Sequence, residues 1–275
     1  SFSGWYVPAM NSHRSPFAGR NFEYYSEDGV LAGNIAANVV SGAADKGLYA
    51  YIKHFALNDQ ETFRTEALCT WADEQTIREI YLKPFEIVVK EAKTTIDYIS
   101  DENGTHSQKE MNGCTAVMSS FNRIGTTWSG GSKALMTDVL RDEWGFKGFA
   151  ISDFNLYEYM NTDQGMRAGT DMQLTWLASE TMPFGRPNYS DTKSGTARQA
   201  IRTAYHNVFY TIANSNAMQG VAPGTIITYK PSGWRVAFWI LDAVLGTFLV
   251  CGTAWVVYRT FKFNSKPKSE ESTQN

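Results

Sequence analysis

The chain has 275 residues, 43% hydrophobic and 19% charged, with a formal net charge of −3. That composition excludes a disordered chain, and the slightly acidic balance excludes nucleic-acid binding through a basic surface. Cys69, Cys114 and Cys251 form no CxxC pair and no Cys/His cluster, so no metal site is expected and all three are expected to be free. The length allows one large domain or two modest ones. The sequence starts at Ser1 without Met or a secretory leader, as if cut from something longer.

The first predicted strand is WYVPAM (5–10). Asp28 to Val40 follows as a helix, with Leu31, Ile35 and Val39 on one stripe. LYAYIKHF (48–55) is the second strand. From Asp73 a helix places Ile77, Ile80 and Tyr81 together, and Pro84 breaks or restarts it. CTAVMSSF (114–121) is the third strand. Ser132 suits an N-cap, with Leu135, Val139 and Leu140 on one face and Gly145 as the stop. GFAISD (148–153) and GTDMQL (169–174) are the last strands, and Thr196 to Asn214 closes the series as a helix through Ile201, Tyr205, Val208 and Ile212.

These strands are near-continuous apolar runs, as in a parallel sheet buried on both faces. Their alternation with helices predicts an α/β fold. Periodicity alone leaves a doubly wound sheet and a closed barrel both open. The polar residues favour a TIM-type (β/α) barrel over residues 1–220. Asn11, Lys53, His54, Asn122 and Asp153 all fall at or just past strand C-termini, the face where such barrels carry chemistry. Five strands do not close a barrel of eight, so a partial barrel lacking its first strands is expected. Segment 95–113 lies between a helix and the next strand, on the opposite face, and is expected to be a solvated insertion. Segment 175–191 follows a strand, so Trp176, Phe184 and Arg186 are candidates for the rim of a substrate entrance.

After a linker at 221–235, the stretch VAFWILDAVLGTFLVCGTAWVVY (236–258) is long and apolar enough to cross a bilayer. Trp234 and Trp239 sit near one end, and Trp255 and Tyr258 near the other. Arg259, Lys262, Lys266 and Lys268 follow it, against Lys230 and Arg235 before it. The positive-inside rule then predicts a single-pass protein of the cell membrane. The basic, polar tail 259–275 would be cytoplasmic and the barrel extracytoplasmic. Asp242 lies within the apolar run and would want a partner or a proton there.

Five stretches in order, AGRNFEYYSED (18–28), YIKHFALNDQETFR (51–64), REIYLKPFE (78–86), AVMSSFN (116–122) and RDEWGFKGFAISDF (141–154), resemble the family 3 glycoside hydrolases, the β-glucosidases and their relatives. The segment 198–218 is similar to that family's last barrel helix. The resemblance implies a retaining β-glycosidase, most directly a β-glucosidase, acting on an oligosaccharide or β-glycoside without a cofactor. Two carboxylates would share the work, one attacking the anomeric carbon and one protonating the leaving oxygen. It implies Asp153 as the nucleophile. Arg20, Lys53 and His54 would grip sugar hydroxyls, Met118 would line the subsite, and Phe121 and Phe154 would border it. Glu61 and Arg64 are expected as a supporting ion pair.

Three departures stand out. The family usually has Tyr where Phe121 stands, with a hydroxyl on the nucleophile. It often has Trp at Phe154, and it has Asn more commonly at Phe63. No acid/base is assigned within this chain. In β-glucosidase-like members a glutamate from an α/β-sandwich domain fills that role, and in permuted relatives that domain lies ahead of the barrel. An upstream sandwich supplying the Glu is therefore the expected partner. The alternative is a membrane-tethered carbohydrate-binding or sensory protein with a decayed hydrolase fold, which Phe121 and the missing acid/base would suit.

Overall fold

The computed structural model describes residues 2–64, 66, 68–155, 157, 159–175, 189–218, 228 and 230–264. Residues 1–220 and 221–275 are separate compact units.

In the first unit a parallel sheet runs in the order β1 (Gly4–Trp5), β2 (Tyr49–Phe55), β3 (Ala116–Ser119), β4 (Phe149–Phe154) and β5 (Met172–Leu174). The order follows the sequence with no crossing back, as in one arc of a (β/α) barrel. Register is tight in the middle: Tyr51 lies opposite Ala116, Ala116 opposite Phe149, and Met118 opposite Ile151. Period-two alternation divides these strands between two cores. Tyr51, Ala116, Met118, Phe149 and Ile151 pack together on one face. Ala50, Ile52, Val117 and Ala150 join the larger cluster built with the helices. β1 is shorter than the predicted strand 5–10, because Pro8 follows it and has no N–H to give the ladder. Only a single bridge, Ala9 to Lys53, continues its pairing.

Helix α1 (Gly29–Ala44) starts where Asp28 accepts from the Val30 and Leu31 amides. Its buried face is not the stripe expected from the larger side chains. Leu31 and Ile35 are exposed, whereas Ala32, Ala36, Val40 and Ala43 are buried. The reason is a close approach to α2 (Lys83–Glu91). A Cβ at Gly33 would lie 2.8 Å from Ile87 Cβ, so only small side chains fit between the two helices. Asp73 caps the preceding helical segment through the Thr76 amide, and Pro84 restarts the chain in the first turn of α2.

Ser132 sits at the start of α3 (Ala134–Glu143, of π type), with its Oγ 3.4 Å from the Leu135 amide, and Gly145 at φ 76° ends it. The short helix α4 (Thr162–Ala168) leads into β5. In α5 (Gly195–Ala213) the face also differs from expectation. Tyr205 is exposed, and the buried residues are Ala197, Ala204, Asn207 and Thr211. Polar anchoring decides that rotation. Asn207 donates to Asp171, and Thr211 Oγ1 donates to the Thr115 carbonyl.

The segment expected to be a solvated insertion is an exposed antiparallel hairpin, Lys93–Ile99 against His106–Asn112. Its side chains are mostly exposed on both faces, so the usual apolar signature of a strand is weak there. Trp176, Phe184 and Arg186 lie outside the described residues. Cys69, Cys114 and Cys251 form no disulfide with one another. The second unit contains α6 (Gly233–Asn264), whose segment Gly233–Lys262 includes an 18-residue window of mean hydropathy 1.9 and meets the length and apolarity for a membrane span.

Candidate active site

The alternation that builds the inner core also places the candidate nucleophile. Phe149 and Ile151 of β4 face inward, so Asp153, two residues on, is the next residue on that face. By the same count Lys53 follows Tyr51 in β2. A cavity of about 520 Å³ opens at this end of the sheet. It brings together Arg20, Lys53, His54, Met118 and Asp153, five of the seven residues singled out from sequence, with Glu61 and Arg64 from the loop after β2.

Asp153 is 8% exposed. Its Oδ1 accepts from the Phe154 amide at 2.7 Å. Its Oδ2 has no hydrogen-bond partner among the described residues. Burial pushes its carboxyl above the ordinary range, opposed by the Phe154 amide and by the charges of Arg64, Arg20 and Lys53. His54 Nε2 stands 3.4 Å from that Oδ2. Burial, reinforced by Arg20, Lys53 and Arg64, holds the imidazole well below its usual pKa. The contact is therefore a neutral imidazole facing a carboxylate, not an ion pair, and His54 keeps one N–H to donate.

The cations are arranged through carboxylates. Arg20 Nε bonds Glu23 Oε1, and its NH1 lies 3.6 Å from Glu61 Oε1. Burial pulls Arg20 down and the Glu23 bond more than restores it, so its pKa ends above the ordinary value. Lys53 Nζ lies 3.8 Å from Glu23 Oε2, and burial lowers its pKa against the pull of Glu23. Arg64 Nε reaches Glu61 Oε2 at 3.1 Å, the ion pair expected from sequence. Asn11 holds the backbone of His54 from both sides, accepting from its amide at 2.9 Å and donating to its carbonyl at 3.0 Å.

Phe121 and Phe154 are placed differently from expectation. Phe121 is 4% exposed, in a cluster with Trp128 and Met160, against which Phe154 also packs. The Arg64 guanidinium covers its ring, 4.7 Å from the centroid, so Phe121 supports a cation instead of meeting the cavity. Sequence reasoning gave no role to Glu23 or Asn11. The spacing R-x-x-E, with both residues in one motif, was the available signal for Glu23. Asn11 offered only its place after a strand. Among the described residues no group of three His, Cys, Asp or Glu side chains could hold a metal.

Residues 5–99 and 105–184 match the glycosyl hydrolase family 3 N terminal domain. Beta-glucosidase A of Butyrivibrio fibrisolvens is 43% identical over 154 residues, which cover 56% of this chain and 16% of that protein. A beta-glucosidase of Rhizobium radiobacter is 38% identical over 168 residues, 61% of this chain and 18% of that one. The structure of beta-glucosidase 3B from Thermotoga neapolitana in complex with glucose superposes with a TM-score of 0.61 at 31% identity, over 79% of this chain and 28% of that chain. Each alignment with these two curated relatives thus spans less than a fifth of the relative's length. A match over well more than half of the residues, carrying the strands and loops that build the cavity, places the chain in glycosyl hydrolase family 3.

Proposed function

We propose that this chain is the barrel part of a retaining β-glucosidase acting through a covalent glycosyl–Asp153 intermediate. The observation that carries the reading is the Asp153 carboxylate. One oxygen is fixed by a backbone amide, and the other is buried, unpartnered among the described residues, and set among Arg20, Lys53 and His54. Retaining glycosidases need an ionised, aimed oxygen of this kind. Oδ2 attacks the anomeric carbon, and that bond forms as the bond to the leaving oxygen breaks. The leaving oxygen takes a proton from an acid outside residues 1–275, which we assign to a glutamate on an upstream α/β-sandwich domain. Water then attacks the glycosyl ester and returns a proton to the same acid. The free sugar departs and the Asp153 carboxylate is restored. Arg20 and Lys53 donate to sugar hydroxyls, and neutral His54 donates one N–H beside the reacting centre.

The reading includes a membrane anchor. The apolar helix α6 and the excess of Arg and Lys after it support a single pass with the barrel outside and the tail in the cytoplasm. Carbonate extraction and protease protection of intact cells test this part on its own.

One observation favours the second reading, a tethered carbohydrate-binding or sensory protein. Phe121 carries no hydroxyl to aim at Asp153, and its ring is occupied by Arg64. Labelling separates the two. The full-length polypeptide is treated with a 2-deoxy-2-fluoro glucoside bearing a good leaving group, and the adduct is mapped by mass spectrometry. An adduct on the Asp153 peptide supports the hydrolase. Glucose binding with no adduct supports the binding protein.

A further inference from the structure

Arg20 and Lys53 face the cavity from different parts of the fold, and one carboxylate behind them touches both. Glu23 Oε1 accepts from Arg20 Nε, and its Oε2 lies 3.8 Å from Lys53 Nζ. Both cations line the cavity, and Glu23 does not. The arrangement begins in a single 3₁₀ turn, Asn21–Glu23, which Arg20 precedes. Side chains three residues apart eclipse in that geometry, so Glu23 comes to lie beside Arg20.

The turn does not depend on this carboxylate. The Glu23 amide donates to the Arg20 carbonyl at 3.1 Å. His13 Nε2 lies 2.9 Å from the Asn21 carbonyl and 3.1 Å from that of Tyr24. The Tyr24 hydroxyl donates to the Asn58 carbonyl at 2.9 Å. A carboxylate that the local fold does not need, divided between two cations of one cavity, serves the cavity.

The charges around Lys53 show what it does there. Glu23 and Arg20 face Lys53 from the turn and Asp153 from β4, while His54, its neighbour on β2, is neutral. Glu61 and Arg64 line the same cavity from the loop after β2. Burial lowers the Lys53 pKa, and Glu23 is the foremost of the charges that oppose it.

We propose that Glu23 is a positioning residue of this site, whose divided carboxylate fixes Arg20 and Lys53 at one spacing in front of the sugar ring. Through the same contact it keeps Lys53 an ammonium, a donor of three hydrogens with no acceptor. This inference rests on the proposed sugar-binding cavity.

The test reads Lys53 without turnover. The full-length polypeptide is trace-labelled with acetic anhydride across a pH series, and the Lys53 peptide is followed by mass spectrometry. Only the neutral amine reacts, so the labelling midpoint reports where Lys53 loses its proton. Glu23→Gln keeps an acceptor for Arg20 and removes the charge, and the midpoint should fall by about one pH unit. Glu23→Asp keeps the charge and should restore most of the difference. A site merely loosened would expose Lys53 and move the midpoint up, toward an ordinary lysine, so misfolding has the opposite sign. Calorimetry should show glucose binding roughly tenfold more weakly to Glu23→Gln, the scale of one charge-assisted hydrogen bond. That deficit should widen as pH rises through the new midpoint. A midpoint that stays or rises with Glu23→Gln, or a glucose affinity unchanged by it, overturns the positioning role while keeping the cavity. No glucose binding with Glu23 intact overturns the cavity reading, and this inference with it.

Discussion

Asp153 and Asp171 are both buried carboxylates beside the same parallel sheet, and they are treated in opposite ways. Asp171 lies just before β5 and is fully satisfied. Arg141 NH2 meets its Oδ2 at 2.6 Å, the Ala150 amide donates to the same oxygen at 2.8 Å, and Asn207 donates to Oδ1 at 2.9 Å. Arg141 also donates to the Gly148 and Gly169 carbonyls, so this ion pair ties α3, β4, β5 and α5 together. Asp153, at the other end of β4, has one backbone donor and one open oxygen. A buried charge without full partners costs stability, and a fold keeps one where the open valence has work to do. The comparison separates a carboxylate that holds the structure from one held in reserve by it.

Exchanging each carboxylate sharpens the contrast. Asp153→Asn should lower kcat on an aryl β-glucoside by a thousandfold or more, on the order of losses seen when a covalent nucleophile is removed. Its thermal midpoint should hold or rise, because a poorly partnered buried charge is gone. Asp171→Ala should do the reverse. Removing one partner of a buried pair leaves Arg141 uncompensated, and chemical denaturation should show a loss of about 3–5 kcal/mol. Activity per folded molecule should stay near normal. If Asp171→Ala instead abolished turnover at full stability, the division of roles would be wrong.

Asp59 is an intermediate case. It is 8% exposed, one of its oxygens has no partner among the described residues, and burial raises its carboxyl to about 6, with Arg14 opposing. Between roughly pH 4 and 6 the folded chain then binds a proton that the unfolded chain has released. Stability falls as pH rises through that window and is level above it. The two pKa values set the size, on the order of 2–3 kcal/mol. Asp59→Asn should flatten this part of the stability–pH curve and gain stability at neutral pH. A curve unchanged by the substitution would mean that Asp59 is partnered in solution.

The fold was legible wherever large apolar residues dictated it. The strand centres, the helix start at Asp28, the restart at Pro84 and the stop at Gly145 all follow from local chemistry. The buried faces of α1 and α5 were not. In α1 close helix packing selects Gly and Ala, and in α5 hydrogen bonds to Asp171 and Thr115 select Asn207 and Thr211. Neither signal is a hydrophobic one. Asp153 and Lys53 were legible from their place at strand ends, and Met118 only through the family resemblance. Asn11 was placed on the same face, but its hold on the His54 backbone was not legible, because that partner lies 43 residues away. Phe121 was expected on the cavity wall. Its place under Arg64 depends on a contact between two loops that no local pattern announces.

That contact supplies the smallest and most discriminating test. Burial raises the Asp153 carboxyl, and Arg64 is the foremost of the side-chain charges that oppose it. The guanidinium is held by Glu61 on one side and by the Phe121 face on the other. In the proposed mechanism Asp153 works ionised, so the acid limb of kcat/KM would follow its pKa in the free enzyme. Arg64→Gln removes a nearby cation, and the limb should move to higher pH by about one unit. Glu61→Gln removes an anion from the same pair, and the limb should move the other way by less. A pair of opposite shifts would show that the Glu61–Arg64–Phe121 stack sets the charge on Asp153. Shifts of the same sign would mean that both substitutions merely loosen the loop, leaving Lys53 and Arg20 as the cations that keep Asp153 ionised.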